Sequence, residues 1–233
     1  MVKRSSMNAW HGLLGAGVLW LGLGSAAQAS FSLESMGIVL EEAQGRTNFT
    51  IKNTSSEPIL LVSKLEDLDG QKFSQSVLVS PPITRIDAGQ SQQVNFVLKQ
   101  GVKLPHEVML KASFQGVGQA KDNAARMPVK QSIGMILQPA SVNVSKTPWE
   151  DLVLHAEGNE LVMQNTGKHV VRLASQMQTM PGRETLDLGN YYVMSGEERR
   201  FKVKARPDAV NIVPLSRYGF KLPEVKLTVG GKR

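Results

Sequence analysis

The sequence predicts an all-β protein built as two successive antiparallel sandwiches. Three observations carry this prediction. Short runs alternate apolar and polar side chains, turn signals recur about every 8 to 15 residues, and no stretch sustains a helical period. The chain has 233 residues and no cysteine, so no disulfide framework can substitute for a core. Each sandwich must hold itself by burying apolar surface.

Residues 1–29 read as an export leader. Lys3 and Arg4 give the positive start, Leu13 to Leu23 the apolar stretch, and Ala27-Gln28-Ala29 a small-residue cleavage motif before Ser30. That stretch is shorter than the roughly 20 apolar residues of a spanning helix. The expectation is therefore an exported chain with no stable membrane insertion. Removing 29 of 233 residues leaves 204, which suits two sandwiches of roughly 100 each. Lys3 and Arg4 leave with the leader and no acidic residue does, so the formal charge falls from +7 to +5. The remaining basic residues are scattered, which reads as a solvated surface and gives no nucleic-acid site.

The elements follow in order. Phe31 to Leu40 predicts a first strand, and Thr47, Phe49 and Ile51 alternate with polar neighbours in a second that stops at Asn53-Thr54-Ser55-Ser56. Ile59 to Leu65 is a third, before the acidic turn Glu66 to Gly70. Val77 to Ser80 leads into Pro81-Pro82, then Ile83 to Ile86, a turn at Asp87-Ala88-Gly89, and an alternating strand through Val94, Phe96 and Leu98. Val108 to Phe114 comes next, and a polar loop from Gly116 to Asn123 follows it.

Ala124 to Pro139, AARMPVKQSIGMILQP, is the stretch on which the chain turns. Its odd positions Ala125, Met127, Val129, Gln131 and Ile133 are mostly apolar and its even positions polar, the pattern of a strand with one apolar face. From Ile133 to Leu137 it becomes continuously apolar. Read alone, it is the last strand of a sandwich, filling its own core. Pro139-Ala140-Ser141 is the predicted joint, dividing residues 30–138 from 139–233. Beyond it, strands are expected at Ser141–Ser145, Leu152–Ala156, Glu160–Gln164, Val170–Gln176, Glu198–Lys204, Val210–Pro214 and Val225–Val229. Asn165-Thr166-Gly167 and Ser195-Gly196 are among the turns between them.

Catalytic constellations are missing. His106, His155 and His169 are widely separated, expected as exposed strand or turn residues, and lack the short spacing of a metal site. No GxSxG, HExxH or phosphate-cradling glycine loop occurs. The expectation is a protein that is not an enzyme and holds no cofactor or metal.

Several segments taken together resemble the PapD-like family of periplasmic pilus-assembly chaperones. Val79 to Leu98, VSPPITRIDAGQSQQVNFVL, is similar to the family's Pro-Pro pair, apolar strand, Gly-Gln-Ser turn and alternating strand. Leu104-Pro105-His106-Glu107 resembles the start of its next strand. Ile136 to Val142 falls where the family has an apolar strand, an arginine or similar, and a hinge proline. Leu161 to Leu173, Ser195-Gly196-Glu197-Glu198 and Ser216-Arg217-Tyr218-Gly219 resemble later strands and turns. The resemblance implies two immunoglobulin-like sandwiches set at an angle. It implies a chaperone that lays strand G1, about 124–137, into the groove of a pilin or fimbrial subunit, and hands that subunit to an outer-membrane usher. Ala125, Met127, Val129, Gln131 and Ile133 would then be the donor side chains.

The sequence departs from the family at the anchor. Two basic residues usually hold the subunit's C-terminal carboxylate between the domains, and those positions fall here on Gly37 and Gly134. Lys130, Arg46, Lys52 and Lys111 are the alternative candidates. Pro128, without an N–H, is a further departure within a donor segment. The competing reading from another class is an exported structural or ligand-binding sandwich without chaperone activity.

Overall fold

A computed structural model describes residues 30–70, 72–118 and 127–230. The leader, Ala125 and the end of the 116–123 loop lie outside the described residues. The first domain is a sandwich of two sheets. One contains β1 (Phe31–Leu33), β3 (Arg46–Asn53), β7 (Ser91–Leu98) and β5 (Val77–Ser80), in the order β1-β3-β7-β5. The other contains β2 (Gly37–Glu41), β9 (Val129–Gln138), β8 (Val108–Gly118), β4 (Ile59–Glu66) and β6 (Ile83–Ile86), in the order β2-β9-β8-β4-β6. Side chains of period two from both sheets meet in one core, where the Phe49 and Phe114 rings stack at 5.4 Å.

The second domain has a separate core that includes Leu154, Leu161, Met163, Val171 and Val210. Its strands are β10 (Leu152–Glu157), β11 (Glu160–Asn165), β12 (Val171–Arg172), β13 (Gln176–Met180), β14 (Thr185–Asp187), β15 (Tyr192–Val193), β16 (Glu198–Lys202), β17 (Ala209–Ile212) and β18 (Val225–Thr228). They form the ladders β10-β11-β16, β12-β15 and β14-β13-β17-β18.

Several expectations are corrected. Phe31 to Leu40 is two strands: the chain breaks at Ser35, whose hydroxyl donates to the Gly37 carbonyl (2.9 Å). It thereby leaves β3 in one sheet for β9 in the other. Ser141–Ser145 is not a strand. Val142 is buried but Val144 is 56% exposed, and the Gln138 amide takes the Val142 carbonyl (2.6 Å) that a neighbouring strand would have used. Val170–Gln176 divides where Ala174 donates to Val213 (2.8 Å), as the chain passes from the β15 ladder to that of β14 and β17. The short β14 and β15 were not expected at all. Nor are the histidines freely exposed. All three are half-buried, and the His106 and His169 rings lie 2.8 Å from the carbonyls of Glu107 and Asn143. Among the described residues no group of metal-ligating side chains occurs, and no helix is long and apolar enough to cross a membrane.

Candidate functional site

The site is built from β9 and the cleft beside it. From Val129 to Leu137 β9 pairs with β8, Gly116 lying opposite Val129 and Val108 opposite Leu137. On its other side β2 pairs only from Gly134 onward, with Gly37 opposite Gly134 in a parallel ladder. Among the described residues the Val129–Ile133 edge of β9 therefore has no strand partner. Pro128 precedes this ladder, so its missing N–H removes no bond from it.

The expected donor residues fall in different surroundings. Met127 is 90% exposed. Val129 is half-buried against the first domain's core, and Ile133 is inside it. Gln131 donates to the Phe31 carbonyl (2.8 Å). Ala125 lies outside the described residues. The even face is polar: Lys130 is exposed, and the Ser132 and Ser113 hydroxyls are 2.9 Å apart.

The basic candidates also separate. Arg46 and Lys52 lie on β3, exposed, in the opposite sheet. Lys111 and Lys130 both turn to Glu66, at 3.4 and 3.8 Å. The Ser113 hydroxyl, helped by these two cations, holds the Glu66 carboxyl below its ordinary range despite some burial. Of the four, only Lys111 lines the cavity of about 500 Å³ between the domains, to which Ser132, Ile133 and Gly134 of β9 also contribute.

The sequence reading missed the arginine in that cavity. Arg172 of β12 is 7% exposed, and burial pushes its guanidinium pKa down. It lies over both aligned glycines: a Cβ on Gly37 would come within 3.1 Å of it, and one on Gly134 within 3.5 Å. A charged residue inside the apolar run Val170-Val171-Arg172-Leu173 was the available signal. Arg217 was also missed. It reaches 3.3 Å from the buried Glu107 and hydrogen-bonds Gln138, the position where the resemblance implies an arginine or similar. Glu107 in turn accepts the Val170 N–H (2.9 Å), tying the two domains together. Around this polar joint Met109, Val170, Tyr192 and Met194 form a small apolar cluster drawn from both domains.

Residues 30–143 match the family model described as the pili and flagellar-assembly chaperone, PapD N-terminal domain. The chain is 28% identical over 191 residues to YhcA of Escherichia coli (strain K12), named as an uncharacterized fimbrial chaperone, covering 81% of this chain and 85% of that protein. The first domain of this chain belongs to the PapD-like pilus-assembly chaperone family. The chain is also 26% identical over 177 residues to the chaperone protein PmfD of Proteus mirabilis (strain HI4320), covering 72% of this chain and 70% of the other. Among solved structures, it is similar to the Salmonella enterica SafB chaperone, crystallised in complex with the SafA pilin. The TM-score is 0.73 and the identity 18%, over 88% of this chain and 98% of that one. E. coli DraB matches with a TM-score of 0.71 at 19% identity, over 85% and 97%. At such identities the shared property is the fold, two immunoglobulin-like sandwiches.

Proposed function

We propose that this chaperone captures fimbrial subunits by adding a strand of the subunit to the bare Val129–Ile133 edge of β9. The unpaired edge carries the reading. A strand edge with free N–H and C=O groups is a template for an extended segment, whose side chains then seat in alternate positions. Met127, exposed at the head of this edge, supplies an apolar side chain that gains by burial in a partner, by roughly 1.5–3 kcal/mol before ordering costs. The half-buried Val129 contributes less new burial, and Ile133 anchors the strand in its own sandwich. The domain division at 138/139, export with cleavage before Ser30, delivery to an outer-membrane usher and the absence of catalysis belong to the same proposal.

Co-expression with fimbrial subunits in the periplasm, followed by co-purification, tests it. Met127→Glu should lose subunit capture with an unchanged thermal midpoint, since the side chain is exposed in the free protein. Capture equal to wild type would refute the role of this edge.

A further inference from the structure

We infer that Met127 is an oxidation switch on subunit capture: a peroxide converts its exposed thioether to the sulfoxide and disables the β9 edge until that sulfoxide is reduced. The inference rests on the strand-addition reading for its consequence, while the selectivity of the oxidation stands on burial alone.

The chain has ten methionines and no cysteine, so no thiol competes with its thioethers for an oxidant. Burial sorts the methionines. Among the described residues Met109, Met135, Met163, Met177 and Met194 are at most 5% exposed, packed in the two cores or in the joint, and Met180 is half-buried. Met127 is 90% exposed and Met36 60%. An oxidant in water reaches these two sulfurs first, without any opening of the fold. Both stand at the site. Met127 lies just ahead of the bare Val129–Ile133 edge, and Met36 is on the wall of the cavity between the domains.

The reaction changes what Met127 offers a partner. A sulfur lone pair attacks one peroxide oxygen, the S–O bond forms as the O–O bond breaks, and with hydrogen peroxide the other oxygen leaves as water. Sulfur gives up two electrons and the peroxide takes them, with no net proton drawn from the protein. The product carries a polar S=O acceptor where an apolar thioether had been. In the free protein that acceptor stays hydrated, so the fold is undisturbed. Seated among the apolar side chains of a subunit it must shed its water, and the burial that favoured capture turns against it. The switch also has a direction. A captured subunit covers Met127, so the oxidant stops new capture and spares complexes already formed.

Hydrogen peroxide is the probe, and mass spectrometry of the digested free protein reads its selectivity. One added oxygen should appear on the peptides holding Met127 and Met36 ahead of the others. Oxidation of the buried methionines at the same rate overturns the inference. In a Met36→Leu background, oxidation at Met127 should weaken capture of a fimbrial subunit by about 10- to 100-fold, the loss of one buried apolar side chain. The thermal midpoint should not move, and methionine sulfoxide reductases should restore capture. Leucine keeps similar apolar volume without an oxidisable sulfur. The double variant Met36→Leu, Met127→Leu, whatever its own starting affinity, should therefore keep that affinity after the same treatment. Capture that survives oxidation of Met127, or that falls equally in the double variant, overturns the switch. Met127→Glu separates the two failures. If it loses capture while the sulfoxide retains it, the switch alone falls; if both capture like wild type, the reading of this edge falls as well.

Discussion

Asn53 and Asn165 do the same work in the two sandwiches. Each ends a strand, fully buried, and donates through its side-chain amide to two backbone carbonyls. Asn53 reaches those of Glu57 (2.8 Å) and Ile86 (3.0 Å), and Asn165 those of His169 (2.8 Å) and Val193 (3.1 Å). Each side-chain oxygen also accepts a backbone N–H two residues on, from Ser55 or Gly167. Asn53→Ala and Asn165→Ala each remove two hydrogen bonds to carbonyls and one from a backbone N–H, so each should cost about 2–4 kcal/mol. Calorimetry should show the loss in the domain that carries the change. Asn→Asp should not rescue either site, because a carboxylate cannot donate.

Gly37 and Gly134 face each other, yet their replacement should differ in cost. A Cβ on Gly37 meets backbone, the Arg217 carbonyl oxygen and Tyr218 Cα at 3.0 Å, whereas one on Gly134 meets the mobile end of Met109. Met109 lines the cavity and has room to swing. Gly37→Ala should destabilise by about 1–3 kcal/mol and Gly134→Ala by less than about 1. Urea unfolding of the two variants checks the order.

Glu107 is the hinge of the interdomain joint. Glu107→Gln keeps an acceptor for the Val170 N–H but removes the charge facing Arg217, and should cost about 1–2 kcal/mol. Glu107→Ala loses both and leaves Arg217 unpaired in a partly buried place, which should cost about 3–5 kcal/mol. Chemical denaturation with separate probes in each domain should show the domains unfolding less cooperatively in the alanine variant.

Glu66 gives a pH signature. Its folded-state pKa is depressed, so the stability it contributes is present above the ordinary glutamate range and is lost as pH falls through the lowered value. At pH 7, Glu66→Gln should be less stable than wild type by up to about 1 kcal/mol, a modest figure because the lysines are exposed. The two proteins should converge as pH falls below that lowered value, where the carboxylate is protonated in both states. Thermal midpoints measured across that window decide it.

Period-two patterning made most of the first domain readable, the divided Phe31–Leu40 segment excepted, because its main ladders are long and one face of each is buried. Ile59–Glu66 and Val108–Gly118 show this. The pairs of short strands around Ala174 and Tyr192 were not readable, since two or three residues carry no period. At the site, alternation marked β9 correctly as a strand but could not separate Met127, exposed, from Ile133, buried in its own core. Met127 lies before β9 begins, whereas Ile133 faces into the sandwich core, and alternation alone does not say where the strand starts. Arg172 was missed for a related reason. Basic side chains were sought on the strands that form the first domain, while the fold brings this one across from the second.

A bare strand edge also attracts the wrong company, since two copies of the chain could zip together along it. The stretch at risk is five residues, about 17 Å of ladder. Pro128 stands at its head and has no N–H to offer a neighbour. Lys130 projects from its middle, exposed, so that matching edges would bring like charges close together. Proline and lysine on an edge are the usual defences against self-pairing. Their presence within three residues disfavours the zipping of one copy's edge onto another's.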